Sequence, residues 1–270
     1  MRQIARTAAY WLKSEDRFAV LGLRLRRMLT VEKRLKVDGS KLVFSAESWV
    51  ELTRSQNVTE GWTAAWVRGL PSGAVLWDVG ANVGVFALLA AETPNVRHVV
   101  AIEPSVFNFT GLVRNIILNR LSAKVTPLPV GLGDTTGRLD FNLQNLKEGG
   151  SMHSFAGIFP FKDRSVTPAA SYGCLCYRLD DLVRIDGLPF PSHLKIDIDG
   201  LERTVLEGGR AVLADQRLVA IQVEVMDAEA DLPRRREIVA MLEPLGWTLT
   251  ETIPHGASMP TIADLRFGRA

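Results

Sequence analysis

VLWDVGANVGVF, residues 75 to 86, decides the fold. An apolar run climbs to Asp78, breaks into Gly80, Asn82 and Gly84, and is followed at once by a second apolar run. That pattern is a buried strand turning sharply into a helix, with glycines where the backbone turns tightly or approaches a ligand closely. The stretch heads a regular series, preceded by a helix at EGWTAAWVRG (60–69). HVVAIEP (98–104) reads as a strand and FNFTGLVRNIILN (107–119) as a helix. VTPLPVGLG (125–133) holds a strand, and GRLDFNL (137–143) is another. HLKIDID (193–199) is a strand, LERTVLEGG (201–209) a helix closed by glycines, LVAIQVEV (218–225) a strand and PRRREIVAMLEPLG (233–246) a helix. This alternation predicts a doubly wound α/β fold with a mostly parallel sheet. WTLTETI (247–253) and IADLRF (262–267) are joined without a helix, so they are expected to form an antiparallel pair on the sheet edge.

The 270 residues suit one α/β domain with a smaller appendage. The division expected is an N-terminal basic helical extension and lead-in over residues 1–59 and the main domain over 60–270. Residues 1–36 hold ten Lys/Arg against three Asp/Glu, with apolar residues at roughly helical spacing. Two readings stand: an amphipathic helix that meets an anionic membrane surface, or a helical cap packed on the domain or on a second subunit of a homo-oligomer. A net charge of +2 argues against a general nucleic-acid binder. No apolar run reaches membrane-spanning length and the N-terminus lacks a signal-peptide core, so a cytoplasmic protein is expected. Cys174 and Cys176 are expected on opposite faces of a strand, as two reduced thiols that do not bridge one another.

In open α/β sheets ligands bind beyond the carboxyl ends of the strands, where the loop at 79–84 must lie. A dinucleotide site wants G-x-G-x-x-G, but Asn82 and Val85 stand where its second and third glycines belong. The Gly-Lys-Ser/Thr of a P-loop is absent here. Asp78 would oppose a pyrophosphate and welcome a cation. Glu103 ends the next strand, where an acid accepts hydrogen bonds from ribose hydroxyls. A ligand with an adenosine ribose, a positive charge and no phosphate satisfies both. S-adenosylmethionine is such a ligand. An NAD-type oxidoreductase on the same sheet is the second reading, and a non-catalytic cofactor-binding scaffold the third.

DVGANVG (78–84), AIEPSVFNFTGLVRNIILN (101–119), VGLGDTTGRLDF (130–141), YRLDDLV (177–183) and LKIDIDGLERTVLEGG (194–209) together resemble the FkbM-type S-adenosylmethionine-dependent methyltransferases. The resemblance implies a seven-stranded, Rossmann-like class I methyltransferase sheet. It also implies methyl transfer to a hydroxyl oxygen of a small-molecule or saccharide acceptor. One departure is visible: where such proteins read D-x-E-G, this chain has Asp197-Ile198-Asp199-Gly200.

Roles follow from these positions. Gly80, Asn82 and Gly84 shape the loop under the methionine part of the cofactor, and Asp78 holds its ammonium directly or through water, or else caps the next helix. Glu103 grips the ribose, beside Pro104. Asn108 borders the adenosine, as Phe107 does unless it only packs the helix. Gly131 and Leu132, in the turn from Val130 to Asp134, flank the adenine. An alcohol is a poor nucleophile until its proton leaves, so a base is expected beside it. Asp197, with Asp199 on the same strand face, is the candidate, and Lys195 is placed to pair with Asp197. Asp199 has a second reading as the cap of the helix near Leu201. No metal is assigned, although Asp197, Asp199 and Glu224 around Mg2+ or Ca2+ is a minor reading. Glu224 is placed to reach the acceptor. Residues 144–173 form a long insertion without a period, suited to a lid, in which His153 is a candidate second base. Phe155, Phe159 and Phe161 are candidates to stack on the acceptor or to anchor the loop.

Overall fold

The computed structural model describes residues 31–37, 40–46, 61–155, 167–227, 232–256, 259 and 261–269. Along these the chain runs β1 (Val31–Val37), β2 (Ser40–Ala46), α1 (Trp62–Arg68), β3 (Ala74–Val79), α2 (Val85–Glu92), β4 (Val96–Ile102) and α3 (Val106–Leu118). It continues through β5 (Val125–Leu128), β6 (Gly131–Gly133), β7 (Gly137–Leu143), β8 (Ser154–Phe155), β9 (Ala170–Arg178), α4 (Leu179–Leu182) and β10 (His193–Ile196). Last come α5 (Glu202–Glu207), α6 (Arg210–Ala214), β11 (Ala220–Met226), α7 (Pro233–Leu242), β12 (Trp247–Pro254) and β13 (Ile262–Arg269).

Seven strands make the central sheet, in the order β12-β13-β11-β10-β3-β4-β5. β3 pairs in parallel with both β4 and β10, so successive crossovers leave it in opposite directions. The crevice expected at such a switch point opens above the carboxyl ends of β3 and β10. The fold is the doubly wound, Rossmann-like, mostly parallel seven-stranded architecture expected of the sequence. The two last strands pair antiparallel at the sheet edge, as read. Their arrangement adds something the pattern did not contain: α7 carries the chain one strand too far, and β13 folds back into the gap between β11 and β12. Running against its neighbour, β13 begins at the carboxyl rim, so its first residues lie beside the end of β11.

Alternation explains how one continuous apolar run serves two cores. Every residue of β3 is buried. Ala74 and Leu76 pack under α2, whereas Val75, Trp77 and Val79 pack on the opposite face with Leu194 and Ile196 of β10. The indole N–H of Trp77, which lies inside that second core, donates to Pro189 O at 2.9 Å.

A smaller sheet, in the order β6-β9-β7-β8, stands over one end of the crevice. Cys174 and Cys176 of β9 are both buried on its inner face, with Leu175 between them exposed. They therefore share a face rather than lying on opposite ones, because residues two apart on a strand point the same way. Both are free thiols, and burial pushes Cys176 up to about 11.

Residues 1–30 lie outside the described residues, but 31–37 are a strand rather than the end of a basic helix. In VEKRLKV the apolar residues fall at 31, 35 and 37, which suits a hairpin strand whose charges stay in water. The β1–β2 hairpin is stitched to α3. Asn115 Oδ1 accepts from Ser45 N at 2.9 Å, and Asn119 Oδ1 from Val43 N at 2.8 Å. Leu42 and Phe44 join the core under β3, so the packing runs across residue 60. Among the described residues no helix is long and apolar enough to cross a membrane.

Candidate active site

A cleft of about 740 Å³ opens at the switch point, within the size range of small-molecule sites. Its first half is built by the loop after β3. Gly80 has φ +78°, and a Cβ there would stand 1.9 Å from the carbonyl oxygen of Asp197. The Gly80 and Ala81 N–H groups both donate to Ile102 O, at 2.9 and 3.0 Å. Asn82 follows with φ +51°. Its N–H donates to Glu103 Oε2 at 2.8 Å, while Ser105 N–H donates to Glu103 Oε1 at 2.8 Å. The two backbone N–H groups thereby orient Glu103 on the cleft wall. Pro104, Asn108, Gly131 and Leu132 line the same half.

Not every residue expected to touch the cofactor reaches the cavity. Asp78 is fully buried and stands behind the wall, in register with Lys195 across the β3–β10 ladder. Burial pushes its carboxyl up, and Lys195 and the Ala87 N–H in the first turn of α2 oppose that push. The Asp78 side chain is therefore not on the cleft wall, and its bond from the Ala87 N–H agrees with the helix-capping reading. Gly84, φ +90°, caps α2 against Leu112 and does not line the cleft. Phe107 packs with the small sheet's core and is not on the wall either.

The described part of the insertion, residues 144–155 and 167–173, is tied across the cleft mouth. Asn82 and Asn108 each donate from Nδ2 to Gly150 O at 3.0 Å, and Gly149 N–H returns to Asn108 Oδ1 at 2.9 Å. His153 lines the cleft, but its Nδ1 accepts from Gln144 N–H at 3.2 Å. The neutral ring then carries its proton on Nε2, which removes the basic nitrogen a second base would need. Phe155 lies over Gly131, where a Cβ would come within 2.1 Å of its ring. That puts it beside the turn expected to flank adenine. Phe159 and Phe161 fall outside the described residues.

The second half of the cleft is acidic. Lys195, on β10, sends Nζ to Asp78 Oδ1 and Asp197 Oδ2, each at 3.1 Å, and lies 5.1 Å over the Phe86 ring. Burial works against its charge, but the two carboxylates outweigh that and raise its pKa. Asp197 and Asp199 lie beyond the end of β10, so strand alternation does not govern them. Asp199 adopts φ +55° and accepts from Met152 N–H at 2.6 Å, which ties the insertion to this loop. It does not cap α5, whose N-cap is Leu201 without a side-chain bond.

Glu202 is buried beside these acids, and burial pushes it up to about 7, while the Gly200 N–H at 2.7 Å opposes the shift. Raised from an ordinary 4.5, this group contributes stability that is full below pH 4.5 and lost as the pH rises through 7. Glu202→Gln keeps the acceptor for Gly200 and removes the buried charge. It is expected to be more stable than the parent at pH 8 by roughly 2 to 3 kcal/mol, and equal to it near pH 4.5. Urea denaturation at the two pH values checks this, and a difference independent of pH refutes it.

Three residues close the far end. Glu224 lies two residues before the end of β11, Asp264 faces it across the β11–β13 ladder, and His255 directly follows β12. His255 Nε2 lies 3.2 Å from Asp264 Oδ2 and 3.5 Å from Glu224 Oε2. Burial raises the Glu224 pKa, Asp197 and Asp264 add to the rise, and Lys195 opposes it. Sequence reading found Glu224 and missed His255 and Asp264, because both sit in what reads as an edge hairpin. The available signal was the reversed direction of β13, which brings its start to the carboxyl rim.

The cleft wall thus carries Glu103, Asp197, Asp199, Glu224 and Asp264 against Lys195 and the imidazoles of His153 and His255. A diphosphate is poorly received there, which counts against the dinucleotide reading. A cationic cofactor fits, in a cradle that a Cβ on Gly80 would fill. Glu103→Ala is expected to weaken S-adenosylhomocysteine binding by about tenfold or more. Isothermal titration measures it, and unchanged affinity would remove Glu103 from the binding set.

Residues 78–246 match the family model described as the methyltransferase FkbM domain. The chain is 28% identical over 149 residues to the hexuronic acid methyltransferase AglP of Haloferax volcanii, covering 55% of each protein. It thus spans little more than half of that relative. It is 29% identical over 200 residues to the 31-O-demethyl-FK506 methyltransferase FkbM of Streptomyces tacrolimicus, covering 67% of this chain and 75% of the relative. Among solved structures it is similar to methyltransferase FkbM from Methylobacillus flagellatus, with a TM-score of 0.49 and 17% identity over 73% of this chain and 44% of that one.

Proposed function

The chain belongs to the FkbM methyltransferase family, with S-adenosylmethionine as its cofactor, and from that premise we propose that it methylates a hydroxyl oxygen of a small-molecule or carbohydrate acceptor. The observation that carries this reading is the position of Asp197. Its carbonyl abuts Gly80 in the cofactor loop, while its side chain, one third exposed, is held by Lys195. A carboxylate is so presented to the cleft at the border between its two halves.

When bound, S-adenosylmethionine supplies an electrophilic methyl group on a sulfonium. The residues of this chain supply alignment and a proton acceptor. Asp197 Oδ1, the oxygen not bonded to Lys195, accepts the acceptor's hydroxyl proton as the oxygen–methyl bond forms and the sulfur–methyl bond breaks. Lys195 keeps Asp197 oriented, and Asp78 keeps Lys195 in place. Asp199 assists by fixing the insertion over the cleft, and Glu224 reaches the acceptor. The relative named for a 31-O position supports an oxygen as the target, and the one named for a hexuronic acid supports a carbohydrate acceptor.

Incubation with methyl-labelled cofactor and a panel of uronic acids, neutral sugars and polyhydroxylated small molecules tests the reading. Label in an ether methyl group is expected. Transfer to nitrogen or carbon, or to none of the panel with cofactor bound, goes against it.

A further inference from the structure

We propose that Glu224, His255 and Asp264 form a binding site for a divalent transition-metal ion in the acceptor half of the cleft. One donor atom from each side chain lies within 4.8 Å of the other two. The imidazole Nε2 is 3.2 and 3.5 Å from its two carboxylate neighbours. Metal–ligand bonds of about 2.0 to 2.2 Å place adjacent octahedral ligands about 3 Å apart, so these side chains need little movement to share an ion.

The frame around them is rigid. Glu224 and Asp264 are directly opposed in an antiparallel ladder, so their carboxyl groups stand on the same face of the sheet beside the imidazole. His255 is fixed through its backbone N–H to Ile262 O at 3.0 Å and by the Trp62 ring 5.4 Å away. Asp264 Oδ1 accepts from Gln222 Nε2 at 3.2 Å, and Gln222 in turn meets Thr63 Oγ1 at 2.8 Å and Arg266 Nε at 3.1 Å. Outer hydrogen bonds of this kind orient carboxylate ligands in metal sites.

Charge leads the same way. Lys195 is spent on Asp78 and Asp197, and Arg266 on Gln222, Glu251 and Trp62 O. The side chains of Glu224 and His255 are 25% and 16% exposed, and all three residues line the cleft. Three protein ligands with an open side describe a site that binds further oxygen ligands rather than a closed structural one. One imidazole among two carboxylates favours Mn2+, Fe2+ or Zn2+ over Mg2+ and Ca2+. The triad replaces Asp197, Asp199 and Glu224, which do not group in this way among the described residues. The ion's use, holding acceptor oxygens beside Asp197, rests on the methyl-transfer reading; its binding does not.

Titration of Mn2+ into the chelator-stripped full chain, followed by electron paramagnetic resonance, tests the site. One bound equivalent is expected, displaced by Zn2+ and not by equimolar Mg2+. Glu224→Gln and His255→Gln should each weaken Mn2+ by about tenfold or more. S-adenosylhomocysteine binding, titrated on the same samples, should persist and report an intact fold. Absence of bound Mn2+ in the parent protein, or binding unchanged in both variants, overturns the site. Mn2+ binding with this dependence but no affinity for S-adenosylhomocysteine would keep the site and remove the methyl-transfer reading.

Discussion

Asp197→Asn is expected to lower kcat by roughly 10²- to 10⁴-fold, the usual worth of a positioned general base, while S-adenosylhomocysteine binds as before. The substitution is nearly isosteric and retains an oxygen for Lys195 Nζ, now 3.1 Å from Asp197 Oδ2. Lys195 also keeps Asp78, so its buried charge is not left without a carboxylate. The loss should therefore fall on kcat, with the cofactor's affinity unmoved. Methyl transfer from labelled cofactor, with titration of S-adenosylhomocysteine into the same preparation, separates the two. Retained turnover would move the base to another acid of the cleft, and loss of both would mean that Asp197 shapes the cofactor loop instead.

Gly80→Ala is expected to abolish cofactor binding and to cost several kcal/mol of stability, a size reached when a substitution both strains the backbone and collides in a packed site. The new Cβ would lie 1.9 Å from the Asp197 carbonyl oxygen and 2.9 Å from Ile198 Cγ2. Backbone is not free to yield, because β3 and β10 are paired up to this point and Asp197 N–H donates to Val79 O at 3.1 Å. Gly73→Ala is the control. It has a similar φ of +83° with nothing within 4 Å, so it isolates the cost of the left-handed backbone, about 1 to 2 kcal/mol. Thermal melts of both variants with and without S-adenosylhomocysteine decide the matter. Equal effects at the two positions would mean that strain, not the close approach of Asp197, makes Gly80 necessary.

How much of this was legible in the chain varies with the range of the interaction that decides it. Strand β3 and helix α2 were readable to within a residue, because an apolar run closed by Gly80, Asn82 and Gly84 is a local signal. Glu103 was readable for the same reason: the end of a buried strand next to the glycine loop is a fixed place in this architecture. The pairing of Lys195 with Asp197, read from their two-residue spacing, is present at 3.1 Å although Asp197 lies just past the end of β10.

The central sheet, the position of the crevice and the glycine loop at its rim were therefore open to reading from the chain, since all three rest on period, turn chemistry and residues close in sequence. Tertiary packing set the remainder. Asp78 faces Lys195 rather than the cavity because two strands distant in sequence lie in register. Phe155 belongs with Gly131 because a separate small sheet folds over the cleft. Asp199 stands in a left-handed bend past the strand, where Met152 N–H of the insertion docks on it. His255 and Asp264 reach Glu224 because β13 runs backwards into the sheet, a matter of strand order that no local pattern records. Long-range pairing sets which side chains meet, and local periodicity sets only which way each one points.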